Sequence, residues 1–375
     1  MEREKEIANK VFKWYSGEKV PPYECRLNPT NKCNLACLPC VSRGKPSYNR
    51  EEELTKDEYI RIVGEAAALG VQRFDICGGG EPFCSPYTIS IMEEIKKHGL
   101  SGSISTNGTM ITRDLAERLV KIGWDELRFS INGPDAKTDD YLRGASGAFN
   151  ISIKAIKTIV SFKKELSKNE PNIIITPIIT SLNYNKIIEF IELAHSLGAS
   201  TLTLQPFMPE VLPDFGGLDE KSRRDISTQL KLDERQQEEF QSYVKEAKKV
   251  VENYGIITNL DFLTENTVKC STAELIKLDS EQGESTLLSI PCYQPWWVLD
   301  INVGGRVGPC PITEVRENVK EKSLSEMWYG EFFDSVRKEL SNRKIPPMCQ
   351  SCCVISTFDN QKIRNILSNF LKEVS

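Results

Sequence analysis

The segment Asn31-Lys32-Cys33-Asn34-Leu35-Ala36-Cys37-Leu38-Pro39-Cys40 carries three cysteines at C-x3-C-x2-C spacing. It follows a β-like run, Tyr23–Leu27, and so falls on the loop at that strand's C-terminal end, where β/α folds place their sites. Three thiolates on one tight loop can hold three irons of a cubane [4Fe-4S] cluster. The fourth iron then lacks a protein ligand and is open to a small chelating molecule. A three-cysteine zinc site completed from elsewhere is the other reading of the spacing.

Outward from this loop the chain alternates β-like runs with helical patterns. The strand candidates are Tyr23–Leu27, Arg73–Cys77, Gly102–Ser105, Glu126–Ile131, Ile173–Thr180 and Thr201–Leu204. Amphipathic stretches lie between them: Lys56–Leu69, Tyr87–His98, Asp114–Ile122, Ile151–Leu166 and Tyr184–Leu197. Such alternation implies a parallel sheet with right-handed crossovers. Six units suit a partial (β/α)6 barrel over 23–208 better than a closed barrel, which needs about 250 residues. Before it stands a short helix, Glu2–Tyr15, within residues 1–22. Residues 209–290 read as a linker (209–230) and a charged helix, Lys231–Glu252. Residues 291–375 read as a small Cys-rich module held by metal, because 292–353 is rich in Cys, Gly and Pro and poor in periodic segments. The tail Ile363–Val374 is an amphipathic helix expected to pack against the barrel.

The chain has 375 residues, 39% of them apolar and 27% charged, which suits a globular protein with a real core. No segment approaches the ~18–20 apolar residues of a membrane span. The N-terminus, MEREKEIANK, is charged and is not a signal peptide, so the expected compartment is the cytoplasm. The net charge of −5 argues against nucleic acid held by bulk charge. Twelve cysteines stand against two histidines, His98 and His195. In a reducing compartment that ratio points to metal rather than disulfides and disfavours His-based acid–base chemistry.

With its companions in order along the chain, the cysteine loop resembles the signature of the radical S-adenosylmethionine (SAM) superfamily. Cys77-Gly78-Gly79-Gly80-Glu81-Pro82, at the end of the second strand, resembles that family's GGEP element. Glycines let backbone pass close to a ligand, and a carbonyl or the Glu81 carboxylate can accept from an ammonium group. Ser105-Thr106-Asn107-Gly108 and Ser130-Ile131-Asn132-Gly133-Pro134 end the third and fourth strands, and Tyr141-Leu142-Arg143-Gly144 offers a guanidinium for a carboxylate. The resemblance implies that Gly79, Gly80, Glu81, Ser105, Asn107, Ser130, Asn132 and Arg143 surround SAM, and that Cys33, Cys37 and Cys40 ligate the cluster. Two positions depart from the family pattern. Pro39 stands where an aromatic residue is frequent, and Asn132 where many relatives have Asp. The implied chemistry is reductive cleavage of SAM to a 5′-deoxyadenosyl radical that abstracts hydrogen from substrate, with flavodoxin or ferredoxin as reductant.

Cys292-x12-Gly305-x4-Cys310, followed by Cys349-x2-Cys352-Cys353, resembles the SPASM/twitch auxiliary-cluster module of such enzymes. One auxiliary [4Fe-4S] cluster on Cys292, Cys310, Cys349 and Cys352, with Cys353 able to replace Cys352, is the implied arrangement. A zinc ribbon is the alternative. A fully ligated auxiliary cluster suits electron transfer and net oxidation. Redox-neutral epimerisation would instead need a thiol donor, with Cys84 the foremost candidate ahead of Cys25 and Cys270. Trp296-Trp297 is a core patch or a stacking surface. Because only 22 residues precede the first strand, a small carbohydrate- or cyclitol-like substrate is expected ahead of a peptide (thioether formation or epimerisation) or of a structural zinc protein.

Overall fold

Short apolar runs bounded by capping residues produce a β/α series along the computed structural model, which describes residues 2–40, 53–207, 220–263, 287–311, 317–344 and 354–374. The elements run α1 (Glu2–Tyr15), β1 (Glu24–Leu27), α2 (Lys56–Leu69), β2 (Arg73–Ile76), α3 (Thr88–Lys97), β3 (Ser101–Thr106), α4 (Arg113–Lys121), β4 (Glu126–Phe129), α5 (Ala136–Arg143), α6 (Ala148–Glu165), β5 (Asn172–Ile175), β6 (Ile178–Ile179), α7 (Ile187–Ser196), β7 (Thr201–Leu202) and β8 (Gln205–Pro206). They continue as α8 (Glu220–Leu230), α9 (Glu234–Val251), β9 (Ile257–Thr258), β10 (Val298–Ile301), β11 (Arg306–Gly308), β12 (Glu317–Asn318), α10 (Leu324–Trp328), α11 (Glu331–Ser341) and α12 (Val354–Val374).

Local chemistry sets the boundaries. Thr55 caps α2 in a reciprocal box with Glu58, and Gly70 stops that helix at φ 100°. Thr112 and Asp135 cap α4 and α5 in the same side-chain-to-backbone manner. Among the described residues one sheet takes the order β12-β11-β10-β1-β2-β3-β4-β5-β7-β9, and β6 pairs with β8. From β10 to β9 neighbouring strands are parallel, whereas β11 and β12 are antiparallel additions.

Alternation along the strands separates two faces. Cys25, Leu27, Phe74, Ile76, Ile104, Leu127, Phe129, Ile173 and Ile175 pack with helix residues such as Tyr59, Ile62, Ile91, Met92, Leu119, Ile156 and Ile191 in the main core. Each such side chain contributes roughly 1.5–3 kcal/mol on burial. The opposite, inner face carries Glu24, Arg26, Arg73, Asp75, Ser103, Ser105, Glu126 and Arg128 by strand register.

All six sequence-derived strands form. The fifth splits into β5 and β6. Residues 220–230 of the expected linker are helical, as α8. The C-terminal segment is less separate than its composition suggests, because β10 pairs in parallel with β1 and prolongs the main sheet. An edge strand with open hydrogen-bonding groups recruits whatever strand can pair with it. The tail helix is longer than expected and packs on α1: Ile363 and Leu367 join Ile7, Ala8 and Val11, and Phe12 meets Phe370 edge-on at 6.4 Å. Trp296 and Trp297 belong to this second core. No helix among the described residues is long and apolar enough to cross a membrane.

Candidate radical SAM site

The cysteine loop is fastened at both ends and across its middle. Asn28 and Thr30 build its start, with Asn28 donating to Asn31 at 2.9 Å and Lys32 N–H donating to Thr30 Oγ1 at 3.1 Å. The Lys32 carbonyl accepts from Glu81 N–H at 2.8 Å, and Leu38 N–H donates to the Leu142 carbonyl at 2.8 Å. Asn34 accepts from Asn107 at 2.9 Å and donates to Thr109 at 2.7 Å. The loop after β1 is thereby tied to the turn after β2, the end of β3 and the C-terminus of α5.

Cys33 is exposed on this loop, while Cys37 and Cys40 are half-buried. Burial, and then the neighbouring Cys40 and Cys33, push the Cys37 thiol up to about 12. The three cysteines share one short loop, and soft sulfur donors suit iron–sulfur chemistry. Among the described residues no three His, Cys, Asp or Glu side chains converge on one ion.

The glycine run has a geometric cause. A Cβ on Gly78 would collide with the Asn28 side chain, one on Gly79 with Asn31, and one on Gly80 with the Lys32 carbonyl. Only side-chain-free backbone lets the turn after β2 pass this close to the cysteine loop. Glu81 is buried, and its carboxylate accepts from Thr106 Oγ1 at 2.7 Å, Asn107 N–H at 2.6 Å and Phe83 N–H at 3.3 Å. Burial pushes its pKa up, and these three donors pull against that. The carboxylate therefore pins the turn to β3.

Arg143 is fully buried and stands behind the strand ends. It donates to Asp139 at 3.1 Å, to Ser152 at 3.0 Å and to the Asn107 carbonyl. Asp139 in turn accepts from Asn132 N–H at 2.7 Å and Gly133 N–H at 3.2 Å. This pair couples the end of β3 to the end of β4, with no guanidinium face turned outward to a carboxylate ligand. Asn132 is buried and accepts from Ile178 N–H at 2.9 Å, so its amide is held toward β6. Ser105 and Ser130 are half-buried, and neither hydroxyl makes a hydrogen bond among the described residues.

Cys84 lies on a short turn, Pro82–Cys84, directly after Glu81, whose N–H donates to the Lys32 carbonyl on the cysteine loop. Burial, then Glu81 and Cys33, raise its pKa. It thus stands against the cysteine loop. Cys25 is buried in the helix-side core. Cys77, by strand parity, follows Arg73 and Asp75 on the inner face. Sequence reading passed over Cys77 because it was absorbed into the glycine motif, although period two along β2 marks its direction. Cys292 and Cys310 are half-buried near β10 and β11. Cys270, Cys349, Cys352 and Cys353 lie outside the described residues.

Comparison with known proteins places the chain in a family. The radical SAM superfamily model matches residues 27–194, and an iron–sulfur cluster-binding domain model, SPASM, matches residues 292–353. The chain belongs to the radical SAM superfamily. As a radical SAM enzyme with a SPASM-type module, it uses SAM, a [4Fe-4S] cluster and auxiliary iron–sulfur chemistry. The tungsten-containing aldehyde ferredoxin oxidoreductase cofactor-modifying protein of Pyrococcus furiosus is 25% identical, over 91% of this chain and 90% of that protein. The PqqA peptide cyclase of Rhizobium meliloti is also 25% identical, over 89% of this chain and 80% of the cyclase. Streptococcus suis SuiB, solved bound to the precursor peptide SuiA, shares the fold with a TM-score of 0.62 at 18% identity, over 87% of this chain and 69% of SuiB.

Proposed function

We propose that this radical SAM enzyme modifies a peptide or protein substrate, with Cys33, Cys37 and Cys40 as the ligands of its SAM-binding cluster. The observation that carries the ligand assignment is the fastening of one three-cysteine loop to the ends of β2, β3 and α5. Peptide substrates are supported by the cyclase relative, which matches along most of this chain. They replace the carbohydrate-like substrate expected from the short N-terminal segment, a feature that does not speak to what the inner face binds.

When bound, the cluster and SAM supply one-electron cleavage of a sulfonium and a carbon radical able to take hydrogen from substrate. The protein's part is placement. Gly78, Gly79 and Gly80 let backbone carbonyls approach a ligand's ammonium group, and buried Glu81 keeps that turn in position. The Ser105 and Ser130 hydroxyls have hydrogen-bonding capacity to offer ribose or carboxylate oxygens. Asn107 fixes Asn34 on the cysteine loop, while Asn132, Asp139 and Arg143 hold the strand ends that carry these groups. Cys292, Cys310, Cys349 and Cys352 or Cys353 hold an auxiliary cluster for electron transfer, and a flavodoxin- or ferredoxin-like protein supplies the electron.

Anaerobically reconstituted protein with dithionite should release methionine and 5′-deoxyadenosine from SAM. Cys33→Ala, Cys37→Ala and Cys40→Ala should each abolish release and lower bound iron, while Cys292→Ala should retain cleavage. A peptide panel should raise 5′-deoxyadenosine yield where sugars and cyclitols do not. Release that persists in all three loop variants overturns the ligand assignment, and stimulation by a cyclitol alone overturns the substrate class.

A further inference from the structure

The inner face of β1–β4 carries a charged cluster below the strand ends. Its lower layer is closed. Glu24 accepts from Arg26 Nε at 2.9 Å and pairs with Arg3 at 3.4 Å and Arg73 at 3.7 Å, and Arg73 also pairs with Glu126. Trp297 lies under it, with the guanidinium carbons of Arg3 and Arg26 at 5.3 and 5.5 Å from its ring centre. Each charge here has an opposite partner, although Arg73 Nε itself makes no hydrogen bond among the described residues.

The upper layer differs. Arg26 and Asp75 are in register on adjacent parallel strands, yet no ion pair joins them. Arg26 spends only Nε, on Glu24. Both of its Nη atoms make no hydrogen bond among the described residues. Asp75 Oδ1 accepts from Ser103 at 2.6 Å and Arg128 at 3.0 Å, whereas Oδ2 accepts from none of the described residues. Burial would raise the Asp75 pKa, but Arg128 and then Arg26 overcome it and leave the carboxyl at about 2. Both residues are about nine-tenths buried, at 9% exposure each. The unused Arg26 Nη and Asp75 Oδ2 atoms are not sealed in the interior but keep some contact with open space, where a ligand could reach them. Here a cation's donors and an anion's acceptor are left side by side, with Asp75 two residues before Cys77 and the glycine turn.

We propose that Arg26 and Asp75, backed by Ser103 and Arg128, form a substrate-recognition site for a neutral amide group. An amide carbonyl accepts from the Arg26 Nη atoms while its N–H donates to Asp75 Oδ2. Charge complementarity selects the class. Arg3, Arg26, Arg73 and Arg128 face Glu24, Asp75, Glu126 and Asp300, the last in register with Arg26 on β10, so cations and anions are both present and a neutral group with a donor beside an acceptor complements the Arg26–Asp75 pair. The site deepens the peptide reading above and rests on it: a backbone or carboxamide group docked here brings neighbouring substrate carbons toward the strand ends.

The test uses anaerobic holoprotein with SAM and no reductant, with ligand-observed saturation-transfer NMR as the readout. The probes are N-acetylglycine N-methylamide, sodium acetate and myo-inositol. The amide should bind saturably, and acetate and inositol should not compete. Arg26→Lys and Asp75→Asn should each weaken amide binding about tenfold or more, while Lys154→Ala, on the outer helix α6, should not. Thermal melting and bound iron report whether each variant folds. Should Asp75→Asn misfold, Arg26→Lys decides, since it keeps the cluster's charge. Absence of saturable amide binding, tighter acetate or inositol binding, or unchanged affinity in folded Arg26→Lys overturns the site. If SAM cleavage and its peptide stimulation persist meanwhile, only this site fails; if cleavage itself is lost from the unaltered protein, the functional reading fails first.

Discussion

Glu81 shows how a single side chain serves the site without facing it. Its two oxygens take up Thr106, Asn107 and Phe83, so the residue acts as a fastener between the turn after β2 and the end of β3. Glu81→Gln preserves size but replaces one acceptor oxygen with an amide donor, which must then oppose a backbone N–H. The expected cost is about 1–3 kcal/mol, read as a lower melting midpoint together with weaker SAM binding in equilibrium dialysis. If both measurements match the unaltered protein, the carboxylate does not hold the turn. The glycine motif and its glutamate were visible in the sequence, but the direction of the carboxylate was not, because its partners arrive from 25 residues downstream. Arg143 illustrates the same limit: a guanidinium near a strand end suggests an anion site, and only packing reveals it turned inward to Asp139, Ser152 and Asn107.

At the scale of elements, α5 braces the cysteine loop. Leu142 accepts from Leu38 N–H, and Gly144, at φ 66°, ends the helix against the Ala36 carbonyl. A Cβ at Gly144 would lie 2.7 Å from that oxygen, so Gly144→Ala combines left-handed strain of roughly 1–2 kcal/mol with displacement of the loop. Gly147 has a similar φ, 82°, but a Cβ there meets nothing within 4 Å. Both alanine variants should melt lower, and only Gly144→Ala should also lose bound iron and SAM cleavage. Equal iron in the two variants would remove the brace from the account. The strands β1–β5 and helices α2–α4 were legible because apolar periodicity and caps agree there. The helix α5 was not, since its eight residues offer too short an amphipathic repeat between two functional motifs. Long-range pairing escaped sequence reading for a different reason: period two announces a strand and says nothing of its partner.

The whole molecule depends on one such pairing. Cysteine content suggested a C-terminal module held apart by metal, yet β10 lies beside β1 in register from Glu24–Val298 to Leu27–Ile301. Tyr23 and Glu24 N–H both donate to the Trp297 carbonyl, at 2.9 and 3.0 Å. Further along, Trp328 Nε1 donates to the Val20 carbonyl at 2.9 Å, and Arg337 lies 4.2 Å from the Trp14 ring centre and 4.4 Å from that of Trp328. Trp297, Val298, Leu299, Trp328 and Phe333 are fully buried in these contacts. Their burial amounts to about 10 kcal/mol, comparable with the net stability of an entire domain. A chain ending at residue 290 would also leave β1 as an open edge. It should therefore aggregate or melt without a cooperative transition, whereas the full chain melts cooperatively under the same anaerobic conditions. A soluble, monomeric 1–290 fragment with a midpoint near that of the full chain would mean that the barrel stands alone and the C-terminal strands merely lean on it. Loss of cooperativity would instead make the sheet itself the physical link between the two cysteine constellations, because β1 carries the first loop at one end and borders β10 along its length.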